Sequence, residues 1–127
     1  MNFKGVIFPE RKEYETPLVS EKYGWRYHHI GIPTNKKMAG EIYIKKYGMY
    51  ISGFSSSPFG IEWMRFDKNS PISDLVKTVP HIAFEVDDLQ EAIKGLELID
   101  EISSPAEGIK VAMFQHNGAP VELIEFS

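Results

Sequence analysis

The chain has 127 residues, of which 43% are hydrophobic and 25% charged, a balance typical of one globular domain that buries its own core. The net charge of -4, without a long run of Lys or Arg, excludes a strongly basic surface of the kind that binds nucleic acid or anionic membranes. Cysteine is absent, which excludes disulfides and thiolate metal ligands. Neither a signal peptide nor an apolar run of about 20 residues is present, so we expect a soluble, cytoplasmic protein that acts on a small molecule.

The first 24 residues carry the weakest pattern of the chain. Residues 3–8 are typical of a short strand that Pro9 ends, and the charged stretch over residues 10–15 has no clear period. We therefore interpret residues 1–24 as a lead-in segment that precedes a single domain over residues 25–127.

Strand and helix signals become clearer at the start of this domain. Residues 25–32 are rich in aromatic and β-branched types and end at Pro33, which predicts a strand. Thr34-Asn35 then offers N-cap chemistry for a short helix over residues 36–39. Three further strands are predicted, over residues 41–47, 49–54 and 61–66.

A second set of elements follows after residue 80. Residues 81–86 alternate in hydrophobicity, which predicts a strand. Asp87-Asp88 then places negative charge at the start of a helix, so we interpret these two residues as capping groups. One apolar stripe marks that helix, formed by Leu89, Ala92, Ile93 and Leu96. Two closing strands, over residues 109–115 and 121–126, are joined through the hairpin signal Asn117-Gly118.

The elements divide the domain into two modules. The first covers residues 25–67 and the second residues 79–127, and a polar linker over residues 68–78 carries one helical turn near residues 72–77. Strands dominate, and the helices do not alternate regularly with them, so the pattern predicts an α+β fold rather than a doubly wound parallel one.

An internal repeat relates the two modules. The segment His29-Ile30-Gly31-Ile32 matches His81-Ile82-Ala83-Phe84, and the strand that contains Glu62 matches the strand that contains Glu122. Each module therefore begins with a strand that carries a histidine and ends with a strand that carries a glutamate.

Strand periodicity assigns these side chains to faces. Ile30 and Ile32 should face the helices, whereas His29 and the small residue Gly31 should share the other face. The same alternation applies to the second module, where a small residue also stands two positions after the histidine. His28 should point away from His29, so we interpret it as a structural or exposed residue.

The repeat favours a metal site. A single histidine in a strand is usually a hydrogen-bonded core residue, and a glutamate near the end of a strand usually faces solvent. Four such residues at matched positions, each the polar member of an apolar strand, instead indicate a shared cation, because a buried carboxylate needs a partner. The predicted ligands are His29, Glu62, His81 and Glu122. His116, beside the hairpin turn, is interpreted as a solvated loop residue.

The chain resembles the vicinal oxygen chelate superfamily, which includes glyoxalase I, methylmalonyl-CoA epimerase, extradiol dioxygenases and bleomycin-resistance proteins. The resemblance covers residues 27–127 and is most specific over Pro80–Leu89 and Gly118–Phe126. It implies two βαβββ modules whose mixed sheet curls around a cleft, and it places metal ligands on the first and last strands of each module. By position these are again His29, Glu62, His81 and Glu122, a set similar to that of bacterial glyoxalase I. Epimerases of the superfamily usually have Gln at the position of Glu62.

The resemblance implies three functions, which the sequence leaves open. The first is a lyase or isomerase of the glyoxalase or epimerase type, which depends on a divalent cation such as Zn, Ni, Co, Mn or Fe and abstracts a proton next to a metal-bound carbonyl. Glu122 is the base by family analogy, and Glu62 is its symmetric alternative. The second is non-catalytic binding of a small molecule, and the third is an extradiol-type dioxygenase. Because members of the superfamily often dimerise, a homodimer is expected.

Overall fold

The computed structural model describes residues 9–127, so the predicted strand over residues 3–8 lies outside the described residues. A curled, mixed sheet of seven strands dominates the structure, and the predicted α+β, glyoxalase-like fold class is confirmed. Its strands are β1 (Arg26–Pro33), β2 (Ile42–Ile44), β3 (Met49–Ser52), β4 (Ile61–Phe66), β5 (His81–Glu85), β6 (Ile109–His116) and β7 (Ala119–Phe126). The helices are short: α1 (Val19–Lys22), α2 (Asp74–Thr78) and α3 (Leu89–Ala92), together with 3-10 turns at Lys45–Tyr47 and Phe54–Ser56.

The order of the strands follows the repeat seen in the sequence. Across the sheet the order is β2-β3-β4-β1-β5-β7-β6. The antiparallel pair β1 and β5 lies at the centre, and each of these strands pairs in parallel with the closing strand of its own half, β4 or β7. The two histidine strands are therefore neighbours, and the two glutamate strands flank them.

The register repeats as well as the strand order. Gly31 is the partner of Glu62 across β1 and β4, and Ala83 is the partner of Glu122 across β5 and β7. In both halves the glutamate is thus aligned with the residue that stands two positions after the histidine. This alignment brings all four predicted ligands onto one face of the sheet, which we call the donor face.

The helix predicted over residues 36–39 is wrong, because this segment forms bends and a turn. Its backbone amides find other partners: the side chain of Thr34 accepts from the Lys36 amide, and the side chain of Glu41 accepts from the Met38 amide. A four-residue helix with no buried apolar side would not repay the cost of helix nucleation. The helical turn in the linker does form, as α2.

In the second half, the helix after Asp87-Asp88 begins as predicted. The Asp88 side chain accepts from the Glu91 amide, and the Glu125 carboxylate accepts from the Leu89 amide, so two orphan donors at the start of α3 are satisfied. Asp87 instead pairs with Arg26. The edge strand that the resemblance implies before β6 is reduced to two isolated bridges, Leu98↔Phe114 and Ser103↔Val111.

The core has two parts, one on each face of the sheet. On the face opposite the donors, Leu123 and Leu89 are fully buried in a cluster. This cluster includes all four residues of the predicted apolar stripe, although α3 ends at Ala92, before Ile93 and Leu96. On the donor face, Val76 of α2 packs with Met64 and Met113. The linker helix therefore covers part of the donor face.

Not every aliphatic residue opposite the donors is covered. Ile30 and Ile82 remain 36% and 37% exposed, whereas we expected helices to bury them. They are register partners on the central strand pair β1 and β5. Among residues 9–127, no helix is long and apolar enough to cross a membrane.

Candidate metal centre

Two buried imidazoles form the middle of the donor face. His29 on β1 and His81 on β5 are each only 3% exposed. Their Nε2 atoms lie 3.3 Å apart. Since two nitrogen lone pairs repel each other at this distance, one ring must carry a proton there, or both lone pairs must face a cation.

Glu122 completes a compact set of three donors. Its Oε1 atom lies 3.0 Å from Nε2 of His81 and 3.8 Å from Nε2 of His29. One donor atom from each of the three residues falls within 4.8 Å of the others, the spacing expected when ligands share one cation. The donor set of two imidazoles and a carboxylate could therefore hold a first-row divalent ion.

Glu62 lies on the same face at the edge of this set. Its Oε1 atom is 3.8 Å from Nε2 of His29, and its side chain is 17% exposed. The compact group of three does not include it. Within residues 9–127 the carboxylate of Glu62 makes no hydrogen bond, and it lies close to the compact group without belonging to it.

Burial dominates the electrostatics of His29. It lowers the pKa of this imidazole to about 4, and the neighbouring rings of His81 and His28 act in the same direction, while the charge of Glu122 opposes them. The ring is therefore neutral near pH 7, which is the form that binds a metal ion.

The pKa values of the two carboxylates shift in opposite directions, although burial acts on both in the same direction. Burial raises the pKa of Glu62 to about 7, and the charge of Glu122 adds to this rise, while His81 counteracts it. Burial alone would also raise the pKa of Glu122. Its hydrogen bond to His81 and the charges of the histidines outweigh that effect and hold the pKa below its usual value.

Two observations on His81 bear on whether this ring can bind a cation. The ring lies against Gly31, where an added Cβ would be 2.2 Å from Cε1, so a glycine is needed for the ring to occupy its position. Nδ1 of His81 is buried without a hydrogen-bond partner in the described chain. Nε2 of this closely packed ring is aimed at a carboxylate and a second imidazole, as a ligand nitrogen would be, whereas Nδ1 lacks the hydrogen bond that metal-binding histidines usually donate.

His28 belongs to this site, and the expectation that it points away from His29 is wrong. A β-bulge between Tyr27 and His29 interrupts the alternation of β1 and inserts one extra residue. Nδ1 of His28 lies 2.7 Å from Nδ1 of His29. The sequence does show two adjacent histidines. Strict period-2 alternation, however, always assigns adjacent residues to opposite faces of a strand, so it predicted no contact between them.

The donor atoms are nearly enclosed. Glu122 and Glu62 expose 13% and 17% of their side chains, whereas both histidine rings are almost fully buried. A surface groove of about 390 Å³ lies beside α3, lined by residues such as Trp25 and Glu91, and it contains none of the four donors. Its lining includes the carboxylates of Asp87, Asp88 and Glu91, but among residues 9–127 only His29, His81 and Glu122 bring three donor atoms within 4.8 Å of one another. His116 is exposed, as interpreted from the sequence.

A curled mixed sheet in which two related halves each carry a histidine and a glutamate to one face defines a protein of glyoxalase-like fold. A hypothetical protein from Bacillus halodurans C-125 has a similar structure, with a TM-score of 0.65 and 22% identity over 82% of this chain and 96% of that one. Methylmalonyl-CoA epimerase from Mycobacterium tuberculosis is also similar, with a TM-score of 0.57 and 19% identity over 80% of this chain and 88% of the epimerase. The sequence matches no protein-family model and no curated protein. At these identities the similarities show the fold alone.

Proposed function

We propose that this chain binds one divalent cation, of the type Zn, Ni, Co, Mn or Fe, and catalyses a lyase or isomerase reaction by removing a proton next to a carbonyl group. One observation carries the proposal: three donor atoms of His29, His81 and Glu122 lie within 4.8 Å of one another on a buried sheet face. The similar fold of the epimerase adds support for this class of chemistry. The substrate is a small molecule, without nucleic acid or membrane as partner, and the chain acts as a homodimer.

The chemistry divides between the cation and the protein. A bound divalent cation supplies Lewis acidity, which polarises a carbonyl oxygen and makes the neighbouring C–H bond more acidic. The two imidazoles and Glu122 hold it in place. The donor atoms are largely enclosed by protein, and such burial strengthens the electrostatic interactions among them.

We infer that Glu62 is the base and Glu122 a ligand. Glu62 lies outside the compact donor group, makes no hydrogen bond within residues 9–127, and has a pKa raised to about 7 by burial. A general base works best when its pKa is close to the operating pH. Glu122 is held by His81 at 3.0 Å, and its pKa is lowered, so it suits a role as a permanently charged ligand.

The metal part is tested by elemental analysis and by titration of chelator-treated protein with Co²⁺. We expect one cation per chain and a loss of binding in His81→Gln, while His116→Gln, at an exposed histidine, binds as the wild type does. A wild-type chain that binds no divalent cation at micromolar concentration would overturn the proposal.

The catalytic part is tested with the isosteric pair Glu62→Gln and Glu122→Gln. Methylmalonyl-CoA is the first compound to try, because the similarly folded epimerase is named for it. Incorporation of solvent deuterium at its acidic carbon reports proton removal whether or not turnover follows. We expect Glu62→Gln to keep its cation and lose exchange by about 10²–10⁴-fold. Glu122→Gln should lose affinity for the cation itself. The two roles would be reversed by the opposite result. In that case Glu62→Gln would still exchange deuterium, whereas Glu122→Gln would keep its cation and lose exchange.

Small-molecule binding without chemistry is the second candidate, and the enclosed state of the site favours it. The side chains of Glu122 and Glu62 expose only 13% and 17%, so a small molecule bound beside them would be largely enclosed by protein. This candidate predicts tight binding of a small carbonyl compound without deuterium exchange, even in protein that carries its cation.

A further inference from the structure

We propose that His28 is a positioning residue of the metal centre, which accepts a hydrogen bond from His29 and thereby keeps Nε2 of His29 available for the cation. This inference rests on the proposed metal function and extends it to a residue that touches neither cation nor substrate. It begins with a contact of 2.7 Å between Nδ1 of His28 and Nδ1 of His29.

The direction of this hydrogen bond follows from the chemistry of imidazole. Nε2 of His29 faces His81, Glu62 and Glu122, so it must present a lone pair if a cation sits among them. The single proton of the neutral His29 ring then resides on Nδ1, and Nδ1 donates it. His28 accepts with a bare Nδ1, which requires that its own proton be on Nε2.

The structure holds the His28 ring in the orientation that this role requires. The β-bulge between Tyr27 and His29 turns the side chain toward its neighbour. The ring stacks on Phe54 at a centroid distance of 4.8 Å and an interplanar angle of 12°, and it also contacts Phe126 at 5.5 Å. Contacts with Phe54 and Phe126 therefore fix the His28 ring beside His29, whereas period-2 alternation alone predicts it on the opposite face of the sheet.

His29 and His81 differ in whether Nδ1 of the ring has a hydrogen-bond partner. Nδ1 of His81 has no hydrogen-bond partner in the described chain, and Gly31 positions its ring by close packing instead. Nδ1 of His29 has His28. Metal-binding histidines commonly donate their other nitrogen to such a partner, and loss of the partner typically costs about 10–100-fold in metal affinity. The bulge therefore gives His29 a hydrogen-bond partner in His28, whereas His81 is held by its packing against Gly31.

Two variants separate the hydrogen bond from the aromatic stack. His28→Phe keeps the stack on Phe54 and removes the acceptor, whereas His28→Asn removes the ring and keeps an acceptor oxygen close to the position of Nδ1. In titrations of the full chain with Co²⁺, we expect His28→Phe to bind about 10–100-fold more weakly, with an altered visible spectrum. His28→Asn should recover most of the affinity, and His116→Phe should match the wild type.

A second measurement needs no metal. Long-range ¹H–¹⁵N spectra of imidazole groups report which nitrogen carries the proton, and in the wild type we expect His29 to be protonated on Nδ1. A wild-type His29 with its proton on Nε2 would overturn the proposal, even if His28→Phe does not fold. Equal Co²⁺ affinity in the wild type and His28→Phe would remove the role of His28 and leave the metal site intact. Absence of Co²⁺ binding in the wild type would remove both.

Discussion

The imidazole of His81 occupies the space that a side chain at position 31 would fill. A Cβ added to Gly31 would lie 2.2 Å from Cε1 of His81 and 2.8 Å or less from both ring nitrogens. The two residues are register partners on the antiparallel strands β1 and β5. The sequence pattern placed a small residue near each histidine. In the first half that residue, Gly31, is the surface against which the His81 ring packs.

Gly31→Ala should displace His81 and disrupt the donor set. The φ angle of Gly31 is not among the positive values of this chain, so the backbone tolerates alanine and the cost comes from the ring. Overpacking of this kind typically costs about 1–3 kcal/mol. We expect a loss of that size in the free energy of unfolding measured with urea, together with a loss of Co²⁺ binding.

A double-mutant cycle supplies the control for Gly31→Ala. In the background His81→Ala the ring is gone, so the alanine at position 31 should then cost much less stability than it does in the wild type. Equal costs in the two backgrounds would show that the glycine is required for a reason other than the His81 ring.

The fold class was predictable because it follows from the repeat, whereas the four-ligand set stays a prediction. Matched strand segments indicated paired modules, and the structure repeats their register, with Gly31 beside Glu62 and Ala83 beside Glu122. The module boundaries over residues 25–67 and 79–127 stay predictions, as do the catalytic roles of the carboxylates.

The errors arose where local geometry departs from ideal periods. A β-bulge inserts one extra residue into a strand, and the sequence around His28 has no feature that distinguishes a bulged strand from a regular one. The helix over residues 36–39 had a capping signal, but the side chains of Thr34 and Glu41 satisfy the same amides without a helix. In both cases contacts that form only in the folded chain decided the outcome.

Asp88→Ala should destabilise the start of α3. The Asp88 carboxylate accepts the Glu91 amide at 3.2 Å, and replacement of such a cap typically costs about 1 kcal/mol. Asp87→Ala is the matched control, because the Asp87 side chain is 88% exposed and, within residues 9–127, pairs with Arg26 alone, which also binds Glu85. Urea unfolding of the two variants should therefore differ. A larger loss for Asp87→Ala would contradict the capping assignment.

The stability of the metal-free protein should respond to pH through two opposing groups. Because the pKa of His29 is lowered to about 4, its contribution is present above pH 6.5 and is lost as the pH falls toward 4. Because the pKa of Glu62 is raised to about 7, its contribution is present below pH 4.5 and is lost as the pH rises toward 7. Between pH 4.5 and 6.5 the two trends should largely cancel.

In Glu62→Gln the pH dependence of stability in this range should come from His29 alone, because the titrating carboxylate has been removed. The free energy of unfolding of this variant, relative to that of the wild type, should rise steadily from pH 4.5 to 7, as measured by urea unfolding in the presence of chelator. Glu107→Gln removes the same charge at an exposed site and serves as the control. A pH-independent difference between Glu62→Gln and the wild type would contradict the raised pKa.

A bound cation should stabilise the fold, because its ligands come from strands that meet only in the folded sheet. His29 and His81 lie on the central pair, whereas Glu122 lies on β7, and in an unfolded chain these donors are far apart. A ligand at 100 times its Kd stabilises by about 2.7 kcal/mol, which for a chain of this size raises Tm by roughly 10 °C. Thermal unfolding with Co²⁺ and then with excess chelator should show this shift and its reversal in the wild type and in His116→Gln. His81→Gln should show neither. A shift of equal size in His81→Gln would place the bound cation elsewhere on the protein.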